Sequence, residues 1–538
     1  MLKKLSGLIA VACSMLPVGC FAANPFITSI YTADPSAHVW SDGRLYVYPS
    51  HDIDPPVGSN LMDRYHVYST EDMVNWQDEG EILNSSQVSW STQPGFMWAP
   101  DCAFKNGTYY FYFPHPSTTN WNNTWKVGVA TSTQPASGFT SVGYITGLGG
   151  HAMIDPSVFV DTDGQAYIYY GGGGVCQGGK LQSNMTALNG AMQSMTGLVD
   201  FHEATWVFKR NKIYYLTYAD NKASGNRLNY ATSSNPLGPW TYKGVYLNPT
   251  GSSTSHGSAV EYKGQWYQFY HNKSLSGNDS IRSICVDKLN FNADGTIQMI
   301  TQTTAGVPSV GPAPVPNPNT VKYEAEIGTV ANGATVANDA AASGGKSVQN
   351  FHLANSSLQL DTVSGGSGGR ATIDIRYAAA SNAKIRLTVN GADYSFLNTP
   401  ASGGWNNYSG RTYLTVPLGI GTANTIKLTG GNGGVNIDYL TVSPFSPSST
   451  GVTFYQNTQY GGTASQTLAK ETYTLSQLAA QGVPNDWASS TRIPSGWTVI
   501  MYHDDNFAGT SWTLTADTPD FSTLSPSATD QMSSCKIQ

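Results

Sequence analysis

The sequence consists of short runs in which apolar and polar residues alternate, and Gly, Asn, Asp and Pro separate these runs along the whole chain. Alternation with a period of two puts one face of an extended segment into a core, and the separating residues favour tight turns. No region keeps a sustained helical period. The pattern therefore predicts an all-β fold built from many short strands.

The first part of the chain repeats one hairpin pattern five times. A strand runs into a turn, which is Asp-Gly or Asn-Gly in the clearest copies, and a Tyr-rich strand follows. The spacing of the copies leaves room for about four strands in each, which is the content of a propeller blade. The pattern predicts a five-bladed β-propeller, with a sandwich that carries unrelated hairpins as the alternative. The tyrosines that follow the five turns are Tyr46, Tyr109, Tyr167, Tyr214 and Tyr267.

Linkers divide the chain into three predicted domains. Residues 311–319 hold four prolines in nine positions, which makes a stiff and extended connection. The predicted order is a signal peptide at 1–22, the propeller at 23–310, the linker at 311–319, a second β domain at 320–445, a short linker at 446–451 and a third β domain at 452–538.

The N-terminal segment predicts secretion. Lys3 and Lys4 precede an apolar stretch, and the small residues Ala22 and Ala23 follow it, as in a secretory signal peptide. Secretion would bring the protein to the periplasm or the cell exterior, and acylation of Cys20 as a lipoprotein is the alternative. The apolar stretch is too short to span a membrane, and no later segment is a candidate transmembrane span.

Composition and charge narrow the possible partners. Charged residues make up 12% of the chain and the net charge is −7, whereas nucleic-acid binding needs a basic surface. We therefore expect no nucleic-acid partner. Four cysteines follow the signal region, but sequence alone cannot pair them, and their spacing does not suggest zinc. They are Cys102, Cys176, Cys285 and Cys535.

Equivalent positions of the five hairpins carry chemically active residues. In a propeller the innermost strands converge on one end of a central channel, so these positions predict one pocket with three carboxylates, an indole and an imidazole. Glycoside hydrolysis needs a carboxylic acid and a carboxylate, and a third carboxylate helps to keep the acid protonated. Turn capping by Asp-Pro is the alternative role for the two aspartates. Counted back from the tyrosines, the residues are Asp34, Trp98, Asp155, Glu203 and His256.

The first region carries Ala33-Asp34-Pro35, Trp98-Ala-Pro-Asp101, Ile154-Asp-Pro-Ser-Val158, Glu203 with Lys209-Arg-Asn-Lys-Ile-Tyr-Tyr215, His256 with Gly264-Gln-Trp-Tyr267, and Ser280-Ile-Arg-Ser-Ile284. With these motifs it resembles glycoside hydrolase family 43, a family of five-bladed propellers.

The resemblance implies an inverting mechanism. Asp34 would be the general base, Glu203 the general acid, and Asp155 the group that raises the pKa of the acid and orients it. His256 would line a channel that holds calcium through water, and Arg282 would bind the sugar in the terminal subsite. Trp98 offers its apolar face to a sugar ring. The sequence departs from the family pattern after Glu203, where Ala204-Thr205 stands in place of the frequent Gly-Pro, and this leaves the substrate open.

The second region opens with Tyr323-Glu-Ala-Glu326 and closes with Gly434-Val-Asn-Ile-Asp-Tyr-Leu440, and so resembles a family 6 carbohydrate-binding module, a β-sandwich. The resemblance implies that Tyr377 and Trp405 hold a sugar ring between them and that Asn436 binds its hydroxyls. It also implies a structural calcium at Glu324, Glu326 and Asp438.

The third region contains a duplication, with Asn485-Asp-Trp-Ala-Ser-Ser490 matching Thr529-Asp-Gln-Met-Ser-Ser534. It resembles a βγ-crystallin domain made of two Greek keys. The resemblance implies calcium ligands at Asp486, Ser489, Asp530 and Ser533, and a calcium-free stabilising module is the alternative.

Together these features predict an exo-acting hydrolase that releases α-L-arabinofuranosyl residues from arabinoxylan or arabinan in the plant cell wall. A β-1,4-xylosidase is the first alternative, and a non-catalytic, calcium-dependent polysaccharide-binding protein is the second. Calcium is the only expected cofactor, and a monomer is expected.

Overall fold

The computed structural model describes residues 21–538 except for 119–123, 150–151, 312–313, 315–316, 318, 353–354, 367, 445–450, 461 and 495–496. The predicted signal segment and the linker at 446–451 therefore lie almost entirely outside the described residues. Strands dominate all of the rest. Within the described part of the chain, no helix is long and apolar enough to cross a membrane.

Five antiparallel sheets occupy the first region as described, and in each of them consecutive strands pair. After β1 (Phe21–Ala22), the sheets are β2 (Tyr31–Val39), β3 (Leu45–Asp52), β4 (Arg64–Thr70) and β5 (Trp76–Asn84); β6 (Asp101–Lys105), β7 (Thr108–Pro116), β8 (Trp125–Ser132) and β9 (Thr140–Tyr144); β10 (Ser157–Val160), β11 (Ala166–Gly172), β12 (Val175–Lys180) and β13 (Gln193–Ser194); β14 (Glu203–Arg210), β15 (Ile213–Ala219), β16 (Leu228–Ser233) and β17 (Thr241–Leu247); and β18 (Gly257–Tyr262), β19 (Gln265–Asn272) and β20 (Ser283–Lys288). Strand β21 (Val307–Pro308) returns to pair with β1.

The first strands of these sheets contact one another in a cycle that runs from β2 through β6, β10, β14 and β18 back to β2. We call this assembly the sheet ring. In every sheet a turn residue with positive φ precedes the second strand. Only glycine adopts such a φ without strain. Four of the five positions are glycine, and Lys212 (φ 67°) is the exception. The tyrosines that follow these turns are all buried, with exposures of 0% to 7%.

The second region is a sandwich of two antiparallel sheets. Its strands are β22 (Val321–Glu324), β23 (Thr329–Ala331), β24 (Thr335–Asn338), β25 (Lys346–Gln349), β26 (Ser357–Val363), β27 (Gly369–Ala378), β28 (Ala383–Val389), β29 (Ala392–Thr399), β30 (Gly410–Leu418), β31 (Asn424–Gly430) and β32 (Asn436–Pro444). One sheet has the order β24-β25-β32-β27-β30, with β22 also on β32, and the other has the order β23-β26-β31-β28-β29. Alternate residues of the facing strands form one shared core.

The third region has its own hydrophobic core. It contains β33 (Thr453–Tyr455), β34 (Thr472–Tyr473), α1 (Leu475–Ala480), β35 (Ser490–Arg492), β36 (Val499–Asp504), β37 (Ala508–Leu514) and β38 (Ser534–Ile537). Strands β34, β38, β36 and β37 form one sheet, and β33 pairs with β35. Short 3-10 helices occur in all three regions. They cover Ser59–Leu61, Ser85–Gln87, Ala325–Ile327, Ser343–Gly345, Thr458–Tyr460, Asp505–Phe507 and Phe521–Thr523.

Buried polar contacts join the sheet ring to the sandwich where β5 meets β30. The Thr415 N–H donates to Asp78 Oδ2 at 2.7 Å, and the Thr415 hydroxyl donates to the Asp78 carbonyl oxygen at 2.6 Å. Both groups are buried, so breaking these bonds would leave unsatisfied polar atoms. The Arg370 guanidinium adds hydrogen bonds to three carbonyl oxygens of the ring, those of Glu79 at 2.7 Å, Ala136 at 2.9 Å and Glu81 at 2.6 Å.

The four cysteines that follow the signal region are all buried and unpaired. Each therefore acts as a small apolar core residue. Cys102, Cys176 and Cys285 belong to three different hydrophobic cores of the sheet ring, and Cys535 belongs to the core of the third region.

Candidate active site

Asp34 lies on the first strand of the sheet ring, at an irregularity in the pairing of β2 with β3 between Ala33 and Ser36. Its backbone has a φ of 50°, a left-handed conformation that Asp adopts more readily than most residues. The bulge turns the Asp34 side chain out of the regular ladder. It is buried, with 6% exposure, at the mouth of the central channel.

The partners of Asp34 favour its ionised form. Arg282 Nη1 donates to Asp34 Oδ1 at 2.8 Å, and the Ser50 hydroxyl donates to Oδ2 at 2.6 Å. The Asp34 N–H donates to Nδ1 of His271 at 3.1 Å, which leaves the opposite ring nitrogen for the Thr254 carbonyl oxygen at 3.0 Å. Burial alone would raise the pKa of Asp34, but Arg282, the two nearby imidazoles and Ser50 together lower it to about 2.

Glu203 and Asp155 form a second carboxyl pair on the other side of the site. Glu203 begins β14, where the pairing with β15 shifts between Glu203 and Trp206. Asp155 precedes β10 with a φ of 53°. The Ala204 N–H donates to Asp155 Oδ2 at 2.7 Å, and the Thr205 hydroxyl donates to the Asp155 carbonyl oxygen at 2.5 Å, so the bulge of β14 joins the two residues.

Both carboxyls of this pair hold protons more tightly than free carboxyls do. Burial raises the pKa of Asp155, and the charges of Glu203 and Asp34 raise it further. Burial likewise raises the pKa of Glu203, as does Asp34, while the His202 imidazole, 3.6 Å from Glu203 Oε2, opposes the shift. The environment of both carboxyls therefore favours the protonated form.

One cavity of about 430 Å³ collects these groups. Its size lies in the range of small-ligand pockets, and its wall combines apolar and polar side chains as such pockets do. Arg282 lines it. All five residues at the equivalent hairpin positions line it as well, and these are Asp34, Trp98, Asp155, Glu203 and His256.

The aromatic wall of the cavity is fixed by its neighbours. Trp98 Nε1 donates to the Ser59 carbonyl oxygen at 3.0 Å, and its ring lies 4.5 Å from that of Trp125 between centroids. Trp98 is half-buried. One face of the indole can therefore meet a sugar ring.

His256 lies between the two sets of carboxyls. Its Nδ1 is 3.9 Å from Asp34 Oδ1 and 3.8 Å from Asp155 Oδ2. Burial lowers the pKa of His256, so the ring is neutral at physiological pH. Calcium takes oxygen ligands, so this imidazole does not fit direct coordination of calcium. Among the residues that the structure describes, no group of three or more His, Cys, Asp or Glu has the geometry of a metal site.

The acidic cluster of the sandwich contains buried carboxylate oxygens that lack hydrogen-bond partners. The Ser343 N–H donates to Asp438 Oδ1 at 2.8 Å and the Ser343 hydroxyl donates to Glu324 Oε1 at 3.1 Å. The Oε2 atoms of Glu324 and Glu326 are buried and accept no hydrogen bond. Orphaned carboxylate oxygens are costly unless a cation or water satisfies them, and Lys322 Nζ already pairs with Glu324 Oε1 at 2.7 Å. Calcium at these residues stays a prediction.

The duplicated motifs of the third region also bring oxygen atoms together. Asp486 and Asp530 have matching φ values of 50° and 51°. The Ser489 hydroxyl donates to Asp530 Oδ1 at 2.9 Å, and the Ser533 hydroxyl donates to Asn485 Oδ1 at 2.7 Å, so each motif reaches across to the other. This donor set fits calcium.

The predicted sugar clamp of the sandwich is wrong. Tyr377 is 1% exposed because the alternation of β27 turns its side chain into the core, where Gly410 makes room for the ring. Its hydroxyl donates to the Pro400 carbonyl oxygen at 2.9 Å. Trp405 is 46% exposed, and the Asn436 side-chain amide donates to the Trp405 carbonyl oxygen at 2.9 Å. The ring of Tyr377 therefore does not face Trp405, and the two side chains cannot hold a sugar ring between them.

Sequence reasoning missed one residue that anchors the site. Asp52 binds Arg282 through Nε at 3.0 Å, Nη2 at 2.8 Å and the backbone N–H at 2.7 Å. This fixes the guanidinium against Asp34. The available signal was the acidic Ser50-His-Asp52 segment at the end of β3, directly across from the start of β2.

Comparison with known proteins decides the family. The profile of glycosyl hydrolases family 43 matches residues 22–297, which is half of the chain. The chain belongs to glycosyl hydrolase family 43. It is therefore a glycoside hydrolase, and its described fold is all-β.

Relatives of this family 43 chain carry related names. A xylosidase/arabinosidase of Bacteroides ovatus is 34% identical over 318 residues, which is 50% of this chain and 94% of that protein. An arabinoxylan arabinofuranohydrolase of Bacillus subtilis (strain 168) is 31% identical over 453 residues, 71% of this chain and 84% of that protein. A solved β-xylosidase/α-arabinofuranosidase from a compost microbial metagenome is 35% identical, with a TM-score of 0.48 over 53% of this chain and 98% of that one.

The sandwich also matches a known family. Residues 333–442 match the carbohydrate binding module of family 35. The sequence resemblance pointed to family 6, and the match replaces that assignment while it keeps the carbohydrate-binding class. The βγ-crystallin resemblance of the third region stays a prediction.

Proposed function

We propose that this family 43 enzyme is an inverting, exo-acting α-L-arabinofuranosidase that removes arabinofuranosyl side chains from arabinoxylan or arabinan. The observation that carries the proposal is that two carboxyls on one cavity have environments that shift their pKa values in opposite directions. The pKa of Asp34 is lowered to about 2 and that of Glu203 is raised. An inverting glycosidase needs one ionised and one protonated carboxyl.

In the proposed step Asp34 accepts a proton from a water molecule as the water oxygen attacks the anomeric carbon. Glu203 donates its proton to the glycosidic oxygen, and the bond between that oxygen and the anomeric carbon breaks. Asp155 would orient the acid, because the Ala204 N–H ties it to the bulge that carries Glu203, and when ionised it would raise the pKa of the acid. Trp98 supports the sugar ring, and Arg282 binds sugar hydroxyls while it holds Asp34 ionised.

The activity test uses proton NMR of wheat arabinoxylan during digestion, because it reports both the released sugar and its first anomer. We expect arabinose to be released first, with inverted configuration. Glu203→Ala should lower the rate on arabinoxylan by roughly a hundredfold or more, since general acid catalysis contributes about that much. Glu261→Ala, on an exposed part of β18, is the matched control. Wild-type rates from Glu203→Ala would contradict the acid assignment.

A β-1,4-xylosidase is the second candidate. It is favoured by relatives that are named xylosidase/arabinosidase. Arabinofuranose is a five-membered ring with an exocyclic hydroxymethyl group, whereas the xylose of xylan is a six-membered ring without one. Release of xylose before arabinose in the same NMR experiment would favour this candidate.

We also propose the finer features of the architecture. The cycle of five sheets supports a five-bladed propeller at residues 23–310, and the crossed motifs of the third region support a βγ-crystallin-like domain at 452–538. Calcium would bind the acidic clusters of the second and third domains. The protein would act as a secreted monomer on plant cell-wall polysaccharide, and the carbohydrate-binding module supports that substrate class.

A further inference from the structure

A second cavity lies between the sheet ring and the sandwich. It encloses about 300 Å³. The ring contributes the segment between β3 and β4 together with Tyr31, and the sandwich contributes Arg386 from β28 and residues 393–396 from β29. We call this cavity the interdomain cleft. Neither the predicted sugar site of the sandwich nor the active site includes its sandwich wall.

Direct contacts fix the two walls of the interdomain cleft relative to each other. Lys384 Nζ donates to the Asp54 carbonyl oxygen at 3.0 Å and lies 5.0 Å from the centroid of the Tyr31 ring. The Asn398 N–H donates to the Ser29 carbonyl oxygen at 2.8 Å. With the buried contacts between β5 and β30, these bonds give the cleft a defined shape, which lowers the ordering cost of binding.

The interdomain cleft continues the active-site cavity. Asp52 and Ile53 line both cavities. At its other end, Arg386 and Asp393 line both the cleft and a shallow depression of about 680 Å³ on the outer face of the five-stranded sheet, whose floor includes Thr429. Shared residues therefore make the three depressions neighbours, in an order that leads from the cavity with the catalytic carboxyls, past the space between the domains, to the face of the sandwich.

The chemistry of the cleft favours a neutral polyhydroxyl ligand. Tyr394 and Phe396 are half-buried and offer aromatic surface, and the Arg386 guanidinium lies 5.3 Å from the Phe396 ring centroid. Its four carboxylates are each matched by a cation, so a charged polymer would meet no unpaired opposite charge. The pairs are Asp52–Arg282, Asp54–Lys384, Asp63–Arg64 and Asp393–Arg386.

We propose that the interdomain cleft binds the neutral main chain of the polysaccharide whose side chain enters the active site. The aromatic rings of Tyr394 and Phe396 would support pentose rings, and the paired charges would bind their hydroxyls. This inference rests on the proposed function for its substrate. It assigns the sandwich a part in catalysis on polymers, because the module holds the main chain next to the carboxyls rather than at a separate site.

The test compares a polymer with a substrate that fills only the active site. Two double variants, Tyr394→Ala/Phe396→Ala and Arg386→Ala/Asp393→Ala, remove the aromatic and the polar parts of the cleft. The second pair is nearly half-exposed, at 46% and 47%, so its loss changes stability little. Ile420→Ala, in the turn after β30 and 79% exposed, is the matched truncation control.

We expect each double variant to lower kcat/KM on arabinoxylan by roughly tenfold, the size of a moderate hot spot. Activity on 4-nitrophenyl α-L-arabinofuranoside should stay at the wild-type level, as should both activities of Ile420→Ala. Unchanged kcat/KM on arabinoxylan would overturn the inference. An equal loss on both substrates would also overturn it, since it would mean that the cleft affects the active site rather than the polymer.

A binding measurement separates this inference from the proposed function. Calorimetric titration of Glu203→Gln with unsubstituted xylohexaose needs no catalysis. Loss of affinity in either cleft variant of that protein, with wild-type melting, would support the cleft even if the enzyme released no arabinose. Unchanged affinity in the cleft variants, or a loss caused by Trp405→Ala alone, would overturn it.

Discussion

Replacement of Arg282 by Gln should move the acidic limb of the pH–activity profile. The pKa of Asp34 is about 2 in the folded protein and 3.8 in a free side chain, although burial acts in the opposite direction. This difference corresponds to about 2 kcal/mol in favour of the ionised form. Arg282 is the largest of the groups that lower this pKa, and its Nη1 is 2.8 Å from Asp34 Oδ1.

The size of the shift follows from the same contact. At an effective dielectric constant near 20, two charges at this separation attract by roughly 6 kcal/mol, which is an upper bound for the loss. Once Arg282 is removed, burial dominates the remaining contributions. The pKa of Asp34 should therefore rise by at least about two units from its value in the wild type and so exceed 3.8. A depressed carboxyl stabilises the fold above its unfolded pKa, and this stability is lost as the pH falls towards 2.

The assay is kcat/KM on 4-nitrophenyl α-L-arabinofuranoside between pH 3.5 and pH 8. The wild type should show no acidic limb in this window, because its base stays ionised. Arg282→Gln should show one within roughly pH 4 to 6. Its maximal kcat/KM should also fall, but the position of the limb and not the height of the profile tests the reasoning.

Ser50→Ala provides the graded control, because it removes only the hydrogen bond of 2.6 Å to Asp34 Oδ2. A hydrogen bond to a charged group contributes about 1.5 to 3 kcal/mol, so an upward shift of about one to two units is expected. An unmoved acidic limb in Arg282→Gln, with a merely lower profile, would refute Asp34 as the titrating base.

Further changes should have distinct results. His202→Gln should move the alkaline limb upward by about half a unit to one unit, because the imidazole favours ionised Glu203; a downward shift in the same assay would contradict this. Arg370→Ala should separate the melting of the ring and the sandwich in calorimetry, since three buried carbonyl oxygens lose their donor; one unchanged transition would show that β5 and β30 suffice. Millimolar calcium should raise the melting temperature of the wild type, and Asp530→Ala should lose part of that increase. Thiol titration should find four cysteines, reactive only after denaturation, and fewer would mean a disulfide.

Local sequence patterns predicted the ring and the membership of its cavity. The turn before each buried tyrosine is set by adjacent residues, and the alternation of the strands then fixes which positions point inward. Asp34 and Trp98 line one cavity as their hairpin positions predict, although Asp34 lies at a bulge and Trp98 precedes β6, where strand alternation alone does not fix the direction of a side chain. Alternation does explain a failure, since the side chain of Tyr377 belongs to the inward set of β27 and cannot serve a surface site.

Contacts between distant segments were not predictable in this way. The interdomain cleft depends on how β5 meets β30, and no periodic pattern encodes which edge of the sandwich meets which sheet of the ring. The pairing of Asp52 with Arg282 joins positions 230 residues apart. Such pairs need a partner-specific geometry that a single sequence does not carry.

The two Asp-Pro-Ser segments show why the catalytic roles depend on these distant contacts. Asp34 and Asp155 start the same tripeptide, have φ values of 50° and 53°, and are both 6% exposed. Local structure therefore makes them equivalent. Their pKa values nevertheless move in opposite directions, because Arg282 reaches Asp34 while Asp155 faces Glu203. The motif delivers two buried carboxyls to one cavity, and the position of one guanidinium favours the ionised form of Asp34, which is the form that the proposed base requires.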